Sequence, residues 1–264
     1  MTVLEKKLQE LKSKGKLGLM THVVVGYPTL RDTVNLVRLM AKEGVDIVEL
    51  QIPFSDPLAD GPTIMKACEK ALENGTRVKD AFDIAKKLSQ EVSIPLLFMA
   101  YYNTLFKYGT EKFCRDAVSV GASGLIVPDM PIEEEGNEHL MEYCEKYRLE
   151  NIQVVSPAST DERLIKNARV ASGFVYATAR QGITGAREKL DPAIISYLTK
   201  LRQYFSVPIA VGFGISKKEH VEALVGYADI AIVGSAIVDA INNSKSSELE
   251  KNVGSFIKHL KMVN

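Results

Sequence analysis

The chain has 264 residues, of which 46% are hydrophobic, and its 33 Lys and Arg residues balance 33 Asp and Glu residues. This length can bury one large core, and the zero net charge excludes a strongly basic nucleic-acid-binding or membrane-binding surface, so we expect a small soluble substrate. The first residues are charged and then amphipathic, with no signal-peptide core and no run of 18 apolar residues, which predicts a cytoplasmic protein without a membrane span.

The predicted elements repeat one unit, in which a helical stretch ends at a Gly or Pro and a short apolar run follows. The apolar runs lie at residues 19–25, 46–52, 96–99, 125–127, 152–155, 174–177, 209–211 and 230–233. Continuous rather than alternating apolar runs are typical of parallel strands that are covered on both faces. The stretches between them show helical spacing, for example Leu30, Val34, Val37 and Met40.

Eight such units predict an α/β fold, a closed (β/α)8 TIM barrel that forms a single domain over residues 1–264. An open doubly wound sheet is disfavoured, because no G-x-G-x-x-G motif follows the first strand. Three additions to the barrel are predicted: an extra N-terminal helix, two helices after strand 2 at about 62–73 and 78–90, and additional helices after strand 8.

The three cysteines give no sign of a metal site. Cys68, Cys114 and Cys144 are odd in number, lie in helix-like segments and lack metal-ligand spacing. They are expected to be reduced thiols that pack as small apolar side chains, and no metal is expected.

Candidate acid/base groups flank the end of the second strand. Glu49 lies inside an apolar strand, where an ionised side chain is costly to bury, and Asp60 lies in the loop that follows. Because active sites of this fold lie at the carboxyl ends of the strands, both carboxylates could face one cavity. Taken alone, Glu49 fits a structural ion pair with an unseen Lys or Arg equally well. Asp56, held between Pro53 and Pro57, could be a third carboxylate of the site or could face a partner.

The loops after the last three strands carry glycines that could bind a phosphate group. Gly182 and Gly185 follow strand 6, Gly212 and Gly214 follow strand 7, and Gly234 with Ser235 opens a helix after strand 8. Backbone N–H groups at glycines and at a helix N-terminus bind oxyanions. Each glycine alone is more typical of a turn, but together these loops predict a phosphate site. Ser235 could donate its hydroxyl to the phosphate or serve as the helix N-cap.

Seven segments together carry a family resemblance. They are Pro53–Pro62, Tyr101–Phe106, Pro128–Pro131, Ser159–Arg163, Gly182–Gly185, Gly212–Ser216 and Gly234–Val238. The segments occur in the order typical of one family, and the chain resembles the tryptophan synthase alpha subunit over nearly its whole length. The first segment is the most specific of the seven.

The resemblance implies cleavage of indole-3-glycerol phosphate to indole and glyceraldehyde 3-phosphate, without a cofactor in this chain. Glu49 would shuttle protons, and Asp60 would accept the indole N–H. A buried Glu beside a solvated, hydrogen-bonded Asp is a suitable pair for this chemistry. Tyr176 and Ile232 would line the substrate pocket, although barrel core is the alternative for Tyr176. We also expect Thr184, on a lid after strand 6, to reach Asp60 when the lid closes.

The resemblance also implies a partner, a beta subunit that carries pyridoxal phosphate and receives indole within an α2β2 assembly. Six residues match family positions at or near that interface, namely Pro53, Asp56, Pro57, Asn103, Asp129 and Pro131. A plain turn is the alternative interpretation for the prolines.

Two residues depart from the family pattern. Gln51 replaces a common glycine, and by strand alternation it shares the face of Glu49, to which it could hydrogen-bond. His22 stands where the family often has an apolar aromatic residue, and it is either a polar pocket residue or a core histidine.

Three functions therefore remain open. The first is an active lyase that works with its beta subunit, and the second is a catalytically weakened alpha chain that mainly activates the beta subunit. The third is another phosphosugar barrel, such as an isomerase or an indole-glycerol-phosphate synthase, which is disfavoured because the Lys and Glu pattern of that synthase is absent.

Overall fold

The protein is built around a closed barrel of eight parallel strands, each hydrogen-bonded to its neighbours in chain order. The computed structural model describes residues 1–178, 190–212 and 214–261. The strands are β1 (Gly18–Val24), β2 (Ile47–Gln51), β3 (Leu96–Met99), β4 (Gly124–Ile126), β5 (Glu150–Val155), β6 (Val175–Thr178), β7 (Ile209–Gly212) and β8 (Ile230–Val233). Pairing of β1 with β8 closes the barrel, which confirms the predicted (β/α)8 fold.

Helices surround the barrel. Those in the described residues are α1 (Val3–Lys14), α2 (Leu30–Lys42), α3 (Pro62–Glu73), α4 (Val78–Ser89), α5 (Tyr102–Tyr108), α6 (Thr110–Ser119), α7 (Glu135–Glu138), α8 (Leu140–Tyr147), α9 (Asp161–Val170), α10 (Pro192–Tyr204), α11 (Lys218–Ala223), α12 (Ser235–Asn242) and α13 (Leu249–Lys261), with short 3-10 helices at Ile132–Glu134 and Ser246–Glu248. None of them is long and apolar enough to cross a membrane.

The predicted extra helices are present before β1, after β2 and after β8. The connections after β3 and β4 also hold two α-helices each, which the sequence did not predict. Helices α5 and α7 have only seven and four residues, too few to show a helical period.

The N-terminal helix begins at a capping box. The Glu5 backbone N–H donates to Thr2 Oγ1 at 3.1 Å, and the Thr2 backbone N–H donates to the Glu5 carboxylate at 2.5 Å. Leu4 and Leu8 then reach into the barrel interior and pack with Met20 of β1. Helix α1 therefore closes the amino end of the barrel with apolar side chains.

Strand alternation sets which residues of β2 face the interior. Ile47 belongs to the interior cluster, so Glu49 and Gln51 face the same way, toward the carboxyl end of the barrel. In the register of β1 with β2, His22 is paired with Glu49. The barrel interior thus changes from apolar side chains at one end to polar side chains at the other.

Candidate active site

A buried carboxylate and an imidazole face each other at the carboxyl end of the barrel. Glu49 is 3% exposed, His22 is 4% exposed, and His22 Nδ1 lies 3.4 Å from Glu49 Oε2. Within the described residues, no Lys or Arg forms an ion pair with Glu49, so the pairing expected of a purely structural glutamate is not found there. His22 is the neighbouring group that can balance the charge of Glu49.

The surroundings of His22 favour its charged form. Burial lowers the pKa of the imidazole, but attraction to the Glu49 carboxylate, whose Oε2 lies 3.4 Å from Nδ1, opposes this effect. Asp60 and Gln51 add smaller contributions in the same direction, and the pKa of His22 is raised above its usual value.

Asp60 accepts two hydrogen bonds on one oxygen. Gln51 Nε2 donates to Asp60 Oδ2 at 2.6 Å, and the Tyr101 hydroxyl donates to the same oxygen at 3.0 Å. The Tyr101 hydroxyl itself accepts the Ala59 backbone N–H at 3.0 Å. Gln51 therefore contacts Asp60, and the prediction that it could hydrogen-bond Glu49 is corrected, because its amide reaches past the end of β2 to the loop.

Asp60 is hydrogen-bonded as expected, but it is half-buried rather than solvated. Burial raises the pKa of its carboxyl group, while His22, Gln51 and Tyr101 oppose that effect only in part. The expectation of a solvated Asp failed because the side chain turns back under the loop toward Tyr101.

Tyr101 is a site residue that the sequence did not single out. It follows β3 and continues the interior face of Leu97 and Met99, and Phe54 stacks on its ring with a centroid distance of 5.1 Å. Extending the alternation of β3 by two residues would have identified it.

Tyr176 faces the same end of the barrel. Burial raises the pKa of its hydroxyl well above the usual value, and the charges of Glu49 and Asp60 add to this effect, so the phenol stays neutral. A Cβ atom at Gly212 would lie 3.0 Å from the Tyr176 hydroxyl, so this glycine allows β7 to pass close to the ring. Ile232 of β8 is buried and belongs to the interior cluster.

The described glycines of the phosphate loops lie at the same end of the barrel. Gly214 has a φ of +70°, with no atom of the described residues within 4 Å of an added Cβ, and Gly234 lies against His22 and Ile64. Ser235 is the first residue of α12 and Gly234 is its N-cap, so the interpretation of Ser235 as the N-cap is corrected. The predicted roles of Gly185 and Thr184 lie outside the described residues.

Several buried polar atoms at the carboxyl end of the barrel have no hydrogen-bond partner in the described residues. Seven such side-chain atoms occur in the described part of the chain, and three of them are His22 Nε2, Glu49 Oε2 and Gln51 Oε1. Because buried polar groups are nearly always satisfied, this group of atoms indicates a place for a polar ligand. Among the same residues, no group of three His, Cys, Asp or Glu side chains could hold a metal ion.

A buried glutamate, a neighbouring aspartate and glycine-bearing loops after β7 and β8 therefore lie together at the carboxyl end of a (β/α)8 barrel. The protein-family model described as tryptophan synthase alpha chain matches residues 8–263. The chain belongs to the tryptophan synthase alpha chain family.

Similar proteins cover the chain almost completely. The tryptophan synthase alpha chain of Desulfotalea psychrophila is 44% identical over 98% of this chain and 99% of its own length. The Methanocaldococcus jannaschii alpha chain is 45% identical over 90% of this chain and 84% of its own. A crystal structure of tryptophan synthase subunit alpha from Legionella pneumophila has a TM-score of 0.91 at 28% identity, covering 100% of this chain and 98% of that one. Family membership assigns the chain to tryptophan biosynthesis and to the lyases.

The residues that family resemblance assigns to a partner interface differ in exposure. Asp56, Asn103 and Asp129 are exposed and Pro131 is half-buried, whereas Pro53 and Pro57 are buried within this chain. The two buried prolines can shape the loop but offer little surface to a partner. Asp129 also accepts the Tyr102 backbone N–H at 2.8 Å, which anchors the start of α5.

Two exposed apolar residues beside these positions were missed by the sequence analysis. Leu58 is 89% exposed in the loop after β2, and Phe106 is 62% exposed on α5. Both were present in the segments of family resemblance, but only the structure identifies them as exposed. Large exposed apolar side chains are typical of a protein-binding surface when they form a continuous patch, so we treat both as candidate contact residues.

Proposed function

We propose that the chain cleaves indole-3-glycerol phosphate by a retro-aldol reaction that yields indole and glyceraldehyde 3-phosphate. The bond that breaks joins indole C3 to the first carbon of the glycerol chain. One proton must be added to C3, and one must leave the hydroxyl on that first carbon, which becomes the aldehyde. The net reaction therefore moves a proton within the substrate and needs no oxidant.

Glu49 is the proposed proton carrier. As an acid it would protonate indole C3, and as a base it would then take the hydroxyl proton while the carbon–carbon bond breaks. Its burial supports this role, and its Oε2 oxygen accepts no hydrogen bond in the described residues, although His22 Nδ1 lies 3.4 Å away. His22, beside the carboxylate, would stabilise its ionised form between the two transfers.

Asp60 is the proposed acceptor for the indole N–H. Protonation at C3 leaves positive charge on the ring nitrogen, which a carboxylate at hydrogen-bond distance stabilises. Tyr176 and Ile232 would line the cavity around the substrate, with His22 and Gln51 completing its polar side.

The phosphate group is proposed to bind at the loops after β7 and β8. Gly212, Gly214 and Gly234 allow close approach of the backbone, and the Ser235 hydroxyl with the backbone N–H groups of Ser235 and Ala236 at the start of α12 would bind the oxygens. We keep Gly185 and Thr184 as proposed contributors from the loop after β6.

We further propose that a beta subunit receives the indole and that the two chains form an α2β2 assembly. Pyridoxal phosphate belongs to that partner, and this chain needs no cofactor of its own for the step above. The solved M. tuberculosis structure with a TM-score of 0.87 and 29% identity, covering 98% of each chain, bears the name tryptophan synthase in an aminoacrylate-bound form. Leu58, Phe106, Asp56 and Asn103 are the exposed residues that we assign to this contact.

The single observation that carries the proposal is the buried Glu49 carboxylate beside Asp60 at the barrel mouth. The test is indole release from indole-3-glycerol phosphate by the purified chain, alone and with a beta subunit. We expect release by the chain alone and faster release in the complex. No release in either case, together with activation of the beta subunit, would instead favour a catalytically weakened alpha chain.

A further inference from the structure

We propose that Gln51 is a positioning residue that turns the Asp60 carboxylate so that Oδ1 faces the indole N–H. Gln51 donates to Asp60 Oδ2 at 2.6 Å, and Tyr101 donates to the same oxygen at 3.0 Å. No donor within the described residues binds Oδ1. The inference rests on the proposed function, because it assigns Oδ1 to the substrate of that reaction.

The geometry makes Gln51 suited to hold Asp60 in one orientation. Gln51 is fully buried as the last residue of β2, so its backbone is held by the barrel while its side chain reaches the loop. A carboxylate accepts hydrogen bonds and cannot donate them, so the amide N–H₂ group must face Asp60. A hydrogen bond of 2.6 Å to a carboxyl oxygen is short for an N–H donor.

Tyr101 completes this arrangement from another strand. Its hydroxyl accepts a hydrogen bond from the Ala59 backbone N–H and donates one to Asp60 Oδ2. Two donors from β2 and from the segment after β3 therefore converge on one oxygen of a residue in the intervening loop. The second oxygen is left to a ligand, and the carboxylate plane is set before the ligand arrives.

This role does not require direct contact between Gln51 and the substrate. Gln51 Oε1 is buried and has no hydrogen-bond partner in the described part of the chain. If Oε1 contacted the substrate, Gln51→Glu would keep that acceptor. In the positioning role the same variant loses function, because a carboxylate would replace the donor to Asp60 and repel it.

The test compares two ligands that differ only in the ring N–H group. Indole-3-propyl phosphate keeps the indole and the phosphate but lacks the glycerol hydroxyls, and its benzofuran counterpart has a ring oxygen in place of the N–H. The dissociation constants are measured by calorimetry for the full chain. We expect the unchanged chain to prefer the indole ligand and Gln51→Met to reduce that preference about tenfold, which corresponds to about 1.4 kcal/mol.

Two further variants keep the test decisive. Gln51→Glu and Tyr101→Phe each remove one donor to Oδ2, and both should lower the preference even if Gln51→Met folds poorly. Gln153→Met is the matched control, because Gln153 is a buried glutamine on β5 whose neighbours Ile152 and Val154 face the interior, so its side chain faces away. This control should keep the preference of the unchanged chain.

The outcomes separate the inference from the proposed function. A preference that stays within about twofold in the folded Gln51 variants would overturn the positioning role. Equal loss of affinity for both ligands would also overturn it, because a general structural effect does not depend on the N–H group. If the unchanged chain bound neither ligand, the proposed function itself would fail, and the inference with it.

Discussion

The protonation of the buried His22 ring depends on the carboxylates around it. Its pKa is raised by Glu49 and Asp60 against the effect of burial, so the folded chain favours the protonated ring. The stabilisation is fully present below the unfolded pKa of about 6.5 and is lost as pH rises through the raised pKa of the folded chain. The raised pKa of Asp60 has the same sign, but its effect begins at more acidic pH.

We therefore predict that His22→Asn flattens the dependence of the unfolding free energy on pH. The stability advantage of the unchanged chain over the variant should shrink as pH rises above the unfolded pKa of about 6.5, as measured by urea unfolding. His259→Asn, at an exposed position on α13, controls for the substitution itself. An advantage that stays constant as pH rises above about 6.5 would contradict the account.

At this scale the sequence predicted which residues share the cavity, but it could not predict which atoms meet. Glu49 and Gln51 were placed on one face by alternation, a property of the strand alone, whereas His22 was considered for the pocket only through family resemblance. The contact between Gln51 and Asp60 depends on the path of the loop and on side-chain rotamers, which no local pattern encodes. The burial of Asp60 under Tyr101 was unforeseen for the same reason.

At the scale of the elements, Gly26 in the loop after β1 packs against Thr76 in the connection between α3 and α4. Gly26 has a φ of +87°, and a Cβ atom there would lie 2.0 Å from Thr76 Oγ1. Gly226 has a similar φ of +85°, but no atom of the described residues lies within 4 Å of a Cβ at that position. The two glycines therefore share the same backbone requirement and differ in packing.

We predict that Gly26→Ala destabilises the chain by about 1–3 kcal/mol more than Gly226→Ala, because only Gly26→Ala adds overpacking to the backbone strain. The free energies of unfolding in urea of both variants provide the measurement. Equal losses would show that Thr76 moves aside without cost.

The elements themselves were largely predictable. Eight continuous apolar runs predicted eight strands, and those predicted strands overlap the observed ones. The start of β5 was placed two residues late, because Glu150 and Asn151 are polar although both are buried in the strand. The short helices after β3 and β4 escaped prediction, since their formation depends on tertiary packing more than on period.

The whole molecule has two functionally different ends. Helix α1 fills the amino end with Leu4 and Leu8, whereas the carboxyl end carries the candidate site and the exposed Leu58 and Phe106. Closure of the barrel could be predicted, because eight strand-and-helix units fit within the length of the chain. The exposed apolar surface could not be predicted, because an apolar residue in a sequence is expected to lie in the core.

We predict that Leu58→Asp weakens binding of a beta subunit at least about tenfold, because a charge would be buried in an apolar contact. Val225→Asp is the control, since Val225 is also an exposed apolar residue but lies just before β8, at the opposite end of the barrel. Binding would be measured by calorimetry or by activation of tryptophan formation from indole. Equal effects of the two variants would place the partner surface elsewhere.

The central claim is that Glu49 carries the protons in cleavage of indole-3-glycerol phosphate. Its most direct test is the rate of indole formation by Glu49→Gln in complex with a beta subunit, with tryptophan formation from added indole as the control for folding and assembly. We predict that the control reaction persists while indole formation falls by about 10²-fold to 10⁴-fold or more, the usual contribution of positioned proton transfer. Indole formation by Glu49→Gln at the rate of the unchanged chain would contradict the mechanism.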